Sequence, residues 1–152
     1  MTKEEKFMTE ALKEAKKAYD LGETPIGAVI VYQDKIIARA HNLREKKQDT
    51  LAHAEALVIQ KACKKLKSWR LEDCDLYVTL EPCVMCSGAI IQSRIKNVYY
   101  GAKNKRFGCH QSAINLFDVD FNHKVNIVSD ILEKECSKII TDFFKELRNS
   151  RV

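Results

Sequence analysis

The chain predicts an α/β fold with helices on both faces of a central sheet, and three observations carry that reading. Strand-like and helix-like runs alternate from residue 26 to the end, two adjacent strand-like runs are spaced as a hairpin, and 152 residues with 45% apolar content suffice for one ordinary core. A bundle or a sandwich fits that order less well, and a single domain over 1–152 is expected.

The elements follow in order. Phe7, Met8, Ala11, Leu12, Ala15, Ala18 and Tyr19 recur mostly three or four apart, which makes one apolar face of a helix over about 3–21, and Gly22 is a stop. Ile26 to Tyr32 and Lys35 to Ala40 are β-branched runs separated by Gln33-Asp34, a hairpin whose turn lacks its favoured glycine. From His53 to about Leu66 the period is helical. Leu76 to Leu80 then reads as a strand, Cys83 to Arg94 as a helix, Val98 to Tyr100 and Val125 to Val128 as strands. Asp130 and Glu133 have capping-box spacing before a last helix carrying Leu132, Cys136, Ile139, Ile140, Phe143, Phe144 and Leu147 on one side, a stripe read as core.

Composition excludes several classes. No apolar run is long enough to cross a bilayer and the first residues are charged, so a cytoplasmic protein with no membrane partner is expected. Six cysteines without a secretory signal read as reduced thiols. A net charge of +5, from 26 basic and 21 acidic side chains, biases the surface toward anionic partners without establishing one.

Two short strings carry chemistry. His53-Ala54-Glu55 opens one helix and Pro82-Cys83-Val84-Met85-Cys86 opens another after a strand, so one imidazole and two thiols at helix N-termini offer a ligand set suited to zinc. Three protein ligands leave a tetrahedral ion one open position for water, where a structural site would close it with a fourth. Two thiolates also make the ion less acidifying, so a nearby carboxylate is needed to take a proton, and Glu55 is that carboxylate. Residues two apart on an ideal helix point about 200° away from each other. His53 must therefore stand at the helix entrance with a backbone that is not yet helical. A redox pair or a structural zinc knuckle would explain the cysteines alone, but His-x-Glu followed by Pro-Cys-x-x-Cys is the zinc-deaminase signature. Cys109-His110, His41 and His123 lack a ligand motif, and Cys63, Cys74 and Cys136 read as ordinary thiols.

The strings GETPIGAVIV, AHNLRE, AHAE, LEPCVMCSGAIIQSRI and FFKELR resemble the bacterial tRNA adenosine deaminase family, and the resemblance runs from the first helix to about Arg148. It implies a three-layer α-β-α sandwich with a mixed five-stranded sheet of the cytidine deaminase-like kind, one zinc ion per subunit and a homodimer. It further implies hydrolytic deamination of the wobble adenosine to inosine in the anticodon loop of an arginine tRNA, an activated water attacking C6 while Glu55 shuttles protons. By the same resemblance His53, Cys83 and Cys86 are metal ligands and Asn42 is a polar contact to the flipped nucleotide. Asn104 stands where the family more usually has an aspartate, at the edge of the expected nucleotide pocket. Lys103, Lys105 and Arg106 form one basic cluster for phosphates, and Lys145, Arg148 and Arg151 form another. The rival readings are a free-nucleobase deaminase for guanine or cytosine with the same zinc chemistry, and a non-catalytic zinc-bearing RNA-binding module, which would not need Glu55.

Overall fold

The computed structural model describes residues 1–150, so Arg151 lies outside the described residues. Helix α1 (Lys3–Asp20) is capped by Thr2 and Glu5, each bonding the other's backbone N–H, and carries Met8, Ala11, Ala15 and Ala18 on its buried face. Strands β1 (Gly27–Tyr32) and β2 (Lys35–His41) form the expected hairpin. Gln33 and Asp34 both take left-handed backbone (φ 52° and 62°), the geometry that a two-residue turn needs to match the strand twist. Then come α2 (Arg44–Lys47), α3 (Ala54–Leu66), β3 (Cys74–Leu80), α4 (Val84–Gln92), β4 (Asn97–Ala102), a 3₁₀ turn at Leu116–Asp118, β5 (Asn126–Val128) and α5 (Glu133–Asn149).

The strands lie in the order β2-β1-β3-β4-β5, with β1 antiparallel to both β2 and β3, and β4 parallel to both β3 and β5. Alternation splits the strands between two cores. Ala28, Ile30, Leu76, Val78 and Val98 pack against Val58 and Ala62 of α3 and Ile90 of α4. Val29, Val31 and Tyr77 face Met8 and Ala11 of α1 and Cys136 of α5. The mixed five-stranded α/β fold expected from the sequence is the observed one. Gly27 explains how closely α1 approaches: a Cβ there would lie 2.1 Å from the Ala11 carbonyl oxygen, so only glycine fits.

Two expectations fail. Asp130 and Glu133 do not form a capping box, because the segment is tied to the sheet instead: the Ile131 N–H bonds the Tyr100 carbonyl at 3.1 Å, Leu132 precedes the helix in left-handed backbone (φ 53°), and Glu133 accepts from Ser137. The apolar stripe of α5 is core only in part. Cys136 and Phe143 are buried, whereas Phe144, about 100° round the helix from Phe143, and Leu147, one turn nearer the carboxyl end, are exposed.

Candidate active site

Strand β3 ends at Leu80, and because β1 runs antiparallel to it, the start of β1, the end of β2 and the end of β4 gather at that same end of the sheet. Helices α3 and α4 also begin there. Ligand sites in parallel segments form beyond the carboxyl ends of the strands, and every residue of the zinc signature is delivered to this edge.

His53 is the N-cap of α3, extended at φ −80° and ψ 151°, and Cys83 is the N-cap of α4, extended at φ −76° and ψ 177°. Neither cap uses its side chain on the helix. His53 thus escapes the opposition that an ideal helix would impose on it and Glu55, as the sequence requires. Its Nδ1 lies 3.7 Å from Cys83 Sγ and 3.6 Å from Cys86 Sγ, and the three ligand atoms all fall within 4.8 Å of one another. Tetrahedral zinc with bonds of about 2.0–2.3 Å would place its N and S ligands about 3.5–3.8 Å apart, so the trio fits that ion.

The electrostatics of the cluster point the same way. Hydrogen bonding from the Cys86 thiol, and then from His53, holds Cys83 down to about 4, while its partnership with Cys83 and its own burial push Cys86 up. The hydrogen bond to Cys83 raises His53. A cation held by the three groups would favour the thiolate form of both cysteines.

Glu55 is 4% exposed, and burial above all pushes its carboxyl up to about 7. Among the described residues, its Oε1 is the one buried side-chain oxygen or nitrogen without a hydrogen-bond partner. An orphaned carboxylate oxygen is costly in a folded core and is tolerated where a bound water or substrate supplies the missing partner. Donor set and orphaned oxygen together fit a metal ion with an open position beside a proton acceptor.

The other expected residues fall into three groups. Asn42 is buried at the same end of the sheet: its Nδ2 donates to the Thr24 carbonyl at 3.3 Å and its Oδ1 accepts from the Arg44 N–H at 3.2 Å. The amide keeps a second N–H and a second lone pair for a ligand. Lys103, Lys105 and Arg106 are exposed on the loop after β4, whereas Asn104 spends its Oδ1 on the Phe107 N–H at 3.2 Å and so shapes that loop. Lys145 and Arg148 are exposed on the last turns of α5. Phe143, just before them, meets Tyr19 edge-on near the carboxyl end of α1, and that helix end leads into β1 at the site's edge of the sheet.

Sequence reasoning left Cys109, His110, His41 and His123 outside the site, and the structure gives each a local partner. Cys109 is buried and bonds the Phe107 carbonyl, His110 bonds the Tyr100 hydroxyl at 2.8 Å, His41 pairs with Glu14, and His123 bonds the Ile95 carbonyl. All six cysteines are free. What the sequence missed is Glu81, a buried carboxylate one residue before Pro82, and Glu23, whose two oxygens accept the Glu45 and Lys46 N–H groups at the start of α2. Both stand inside strings that carry the family resemblance, but nothing local in the sequence shows the donors that each one meets.

Comparison with known proteins agrees with this geometry. Residues 2–148 match the model of the MafB19-like deaminases. The chain is 53% identical to the tRNA-specific adenosine deaminase of Bacillus subtilis, covering 99% of this chain and 94% of that protein. The chain belongs to the tRNA-specific adenosine deaminase family. A second member, from Aquifex aeolicus, is 47% identical over 96% of this chain and 97% of its own length. A solved structure from work on A-to-I editing by tRNA:A34 deaminases superposes with a TM-score of 0.85 at 42% identity, covering 88% of this chain and 98% of that one. Guanine deaminase from Bacillus subtilis shares the fold more loosely, with a TM-score of 0.65 and 35% identity over 78% of this chain and 86% of that one. Family membership makes the chain an adenosine deaminase, a hydrolase, with a His-Cys-Cys metal-binding group.

Proposed function

We propose that this chain, as a single deaminase domain over 1–152, converts the wobble adenosine of a tRNA anticodon loop, that of an arginine tRNA, to inosine in the cytoplasm. The observation that carries the chemistry is the orphaned Oε1 of Glu55 beside three convergent metal ligands. The substrate rests on the full-length likeness to tRNA-specific adenosine deaminases at 53% and 47% identity.

Bound by His53, Cys83 and Cys86, one zinc ion per subunit would supply Lewis acidity at a fourth position open to water and substrate. Glu55 does the proton work. Its Oε1 takes a proton from the attacking water as the new C–O bond forms at C6 of adenine, and returns that proton at N1. It then carries a second proton from the new hydroxyl to the exocyclic nitrogen. The C6–N bond breaks, ammonia leaves, and water plus adenosine has become ammonia plus inosine. Burial suits Glu55 to this cycle, because a carboxyl held near neutral pH can both accept and give a proton. Asn42 offers its spare amide hydrogen and lone pair to the flipped nucleotide, with Asn104 at the pocket edge. Lys103, Lys105, Arg106, Lys145 and Arg148 face the phosphates. A homodimer is part of this reading, supported by the apolar groove lined by Gly88, Ile91, Leu116 and Phe121, and sedimentation of the purified chain tests it.

The 35% identity to a guanine deaminase gives the free-base reading a specific footing, so one assay should decide between them. Ammonia release is compared on an arginine-tRNA anticodon stem-loop, free adenosine, guanine and cytosine. The expected result is rapid release from the stem-loop alone. Release from guanine or cytosine in its place would transfer the enzyme to the nucleobase class, and release from none would favour an RNA-binding module.

A further inference from the structure

Glu81 joins β3 to the Pro82-Cys83 metal turn and is 1% exposed, with no cation paired to it among the described residues. Its carboxylate instead gathers four hydrogen bonds from one loop. Oε1 accepts from the Asn104 N–H at 3.1 Å and the Ser112 hydroxyl at 2.6 Å, and Oε2 accepts from the His110 and Gln111 N–H groups at 2.8 and 2.9 Å. The backbone adds two more ties, from the Glu81 N–H to the Ala102 carbonyl at 2.8 Å and from the Cys109 N–H to the Pro82 carbonyl at 3.1 Å. Gly108 leaves room for the clasp, since a Cβ there would stand 2.4 Å from Glu81 Cδ.

We infer that Glu81 is a positioning residue that locks the 103–112 loop to the metal turn, fixing where Lys103, Lys105 and Arg106 stand relative to the reacting base. A carboxylate is acceptor-only, so four donors satisfy it completely, and charge-assisted bonds are about twice as strong as neutral ones. All four donors come from a segment that otherwise has no helix or strand before the 3₁₀ turn at Leu116. A loop held only at its ends would let three long cations wander, whereas one clasped from within presents them in a single register to a phosphate backbone. Lys103, Lys105 and Arg106 stand exposed on the clasped loop, as a phosphate-binding edge requires.

This assignment rests on the RNA-deaminase reading for its consequence but not for its geometry, and two variants separate the two. Glu81→Gln replaces one acceptor oxygen with an NH₂ that confronts N–H donors. Gly108→Ala pushes a methyl group onto the same carboxylate and onto the Asn104 carbonyl of the clasped loop, without changing charge. Both should keep zinc by elemental analysis and lose amide hydrogen-exchange protection at Asn104, His110 and Gln111. With the stem-loop as probe, KM should rise about tenfold, the factor for one misplaced charge-assisted hydrogen bond, while kcat changes by less than about threefold. The paired variant should be little worse than either alone, since both disable one clasp. Unchanged exchange protection would overturn the clasp, and so would a loss of zinc or an equal fall of kcat with KM unchanged, because Glu81 would then serve the metal turn. If the unmodified chain deaminates no RNA, the function reading fails, and the exchange measurement still decides the clasp.

Discussion

Glu55 and Glu81 are both buried glutamates at the same edge of one sheet, and their surroundings are opposite. Glu55 has an oxygen that nothing donates to, and burial drives its carboxyl up to about 7. Glu81 is buried as well, yet hydrogen bonds from Ser112, Gln111, His110 and Asn104 outweigh that burial and hold its carboxyl below the ordinary range. On the roles proposed for them, the contrast separates a group that works from a group that holds. A carboxylate left short of donors can exchange protons with whatever enters, whereas one saturated by fixed donors keeps its charge and orders the chain around it.

Removing the metal tests that separation with the largest effect. A chelator should abolish deamination and added zinc should restore it, while hydrogen-exchange protection of the 103–112 amides survives throughout. Protection that disappears together with the metal would mean that the two glutamates share one structural unit.

Stability should divide them next, and with different signs. In the metal-free chain Glu81→Gln should lower the urea midpoint by an amount equivalent to about 1–3 kcal/mol, the cost of leaving buried donors without an acceptor. Above about pH 7, where burial makes ionising this carboxyl costly, Glu55→Gln should leave the midpoint unchanged or raise it, because it removes a buried charge that lacks a donor. Equal losses in both would erase the distinction.

The smallest expected effect concerns the rim. Neutralising Lys145 and Arg148 together should make the log-log salt dependence of stem-loop binding shallower by about 0.7 for each phosphate that is no longer neutralised, with kcat unaffected. An unchanged slope returns the last turn of α5 to a solvated face and leaves the Glu81-held loop as the electrostatic edge of the site.

How much of this was legible in the sequence differs residue by residue. The convergence of His53, Cys83 and Cys86 was legible because metal chemistry fixes both residue type and spacing, and even the extended backbone of His53 followed from helix geometry. Helices on both faces of a sheet were legible in the order of strands and helices, but the division into two cores was not, because β1 is apolar and buried on both faces and shows no alternation. The capping box at Asp130 was not, since its sequence pattern was overruled by a hydrogen bond to Tyr100 from a distant strand. Helix α2 is four residues long, too short to show a period, and its first N–H groups are satisfied by Asn42 and, across the fold, by Glu23. Glu81 was invisible for the same reason: its four donors lie 23 to 31 residues away along the chain. Local pattern shows periodicity and motif, and says nothing of partners brought in by topology.

That Glu55 moves protons beside a metal it does not hold is tested most directly by Glu55→Ala, measured for zinc content and for inosine formed in an anticodon stem-loop on the same preparation. General acid and base work contributes about 10² to 10⁴ fold. Activity should fall by at least that factor with zinc at the level of the unmodified protein. Substantial remaining inosine, or zinc lost with the side chain, would contradict the assignment.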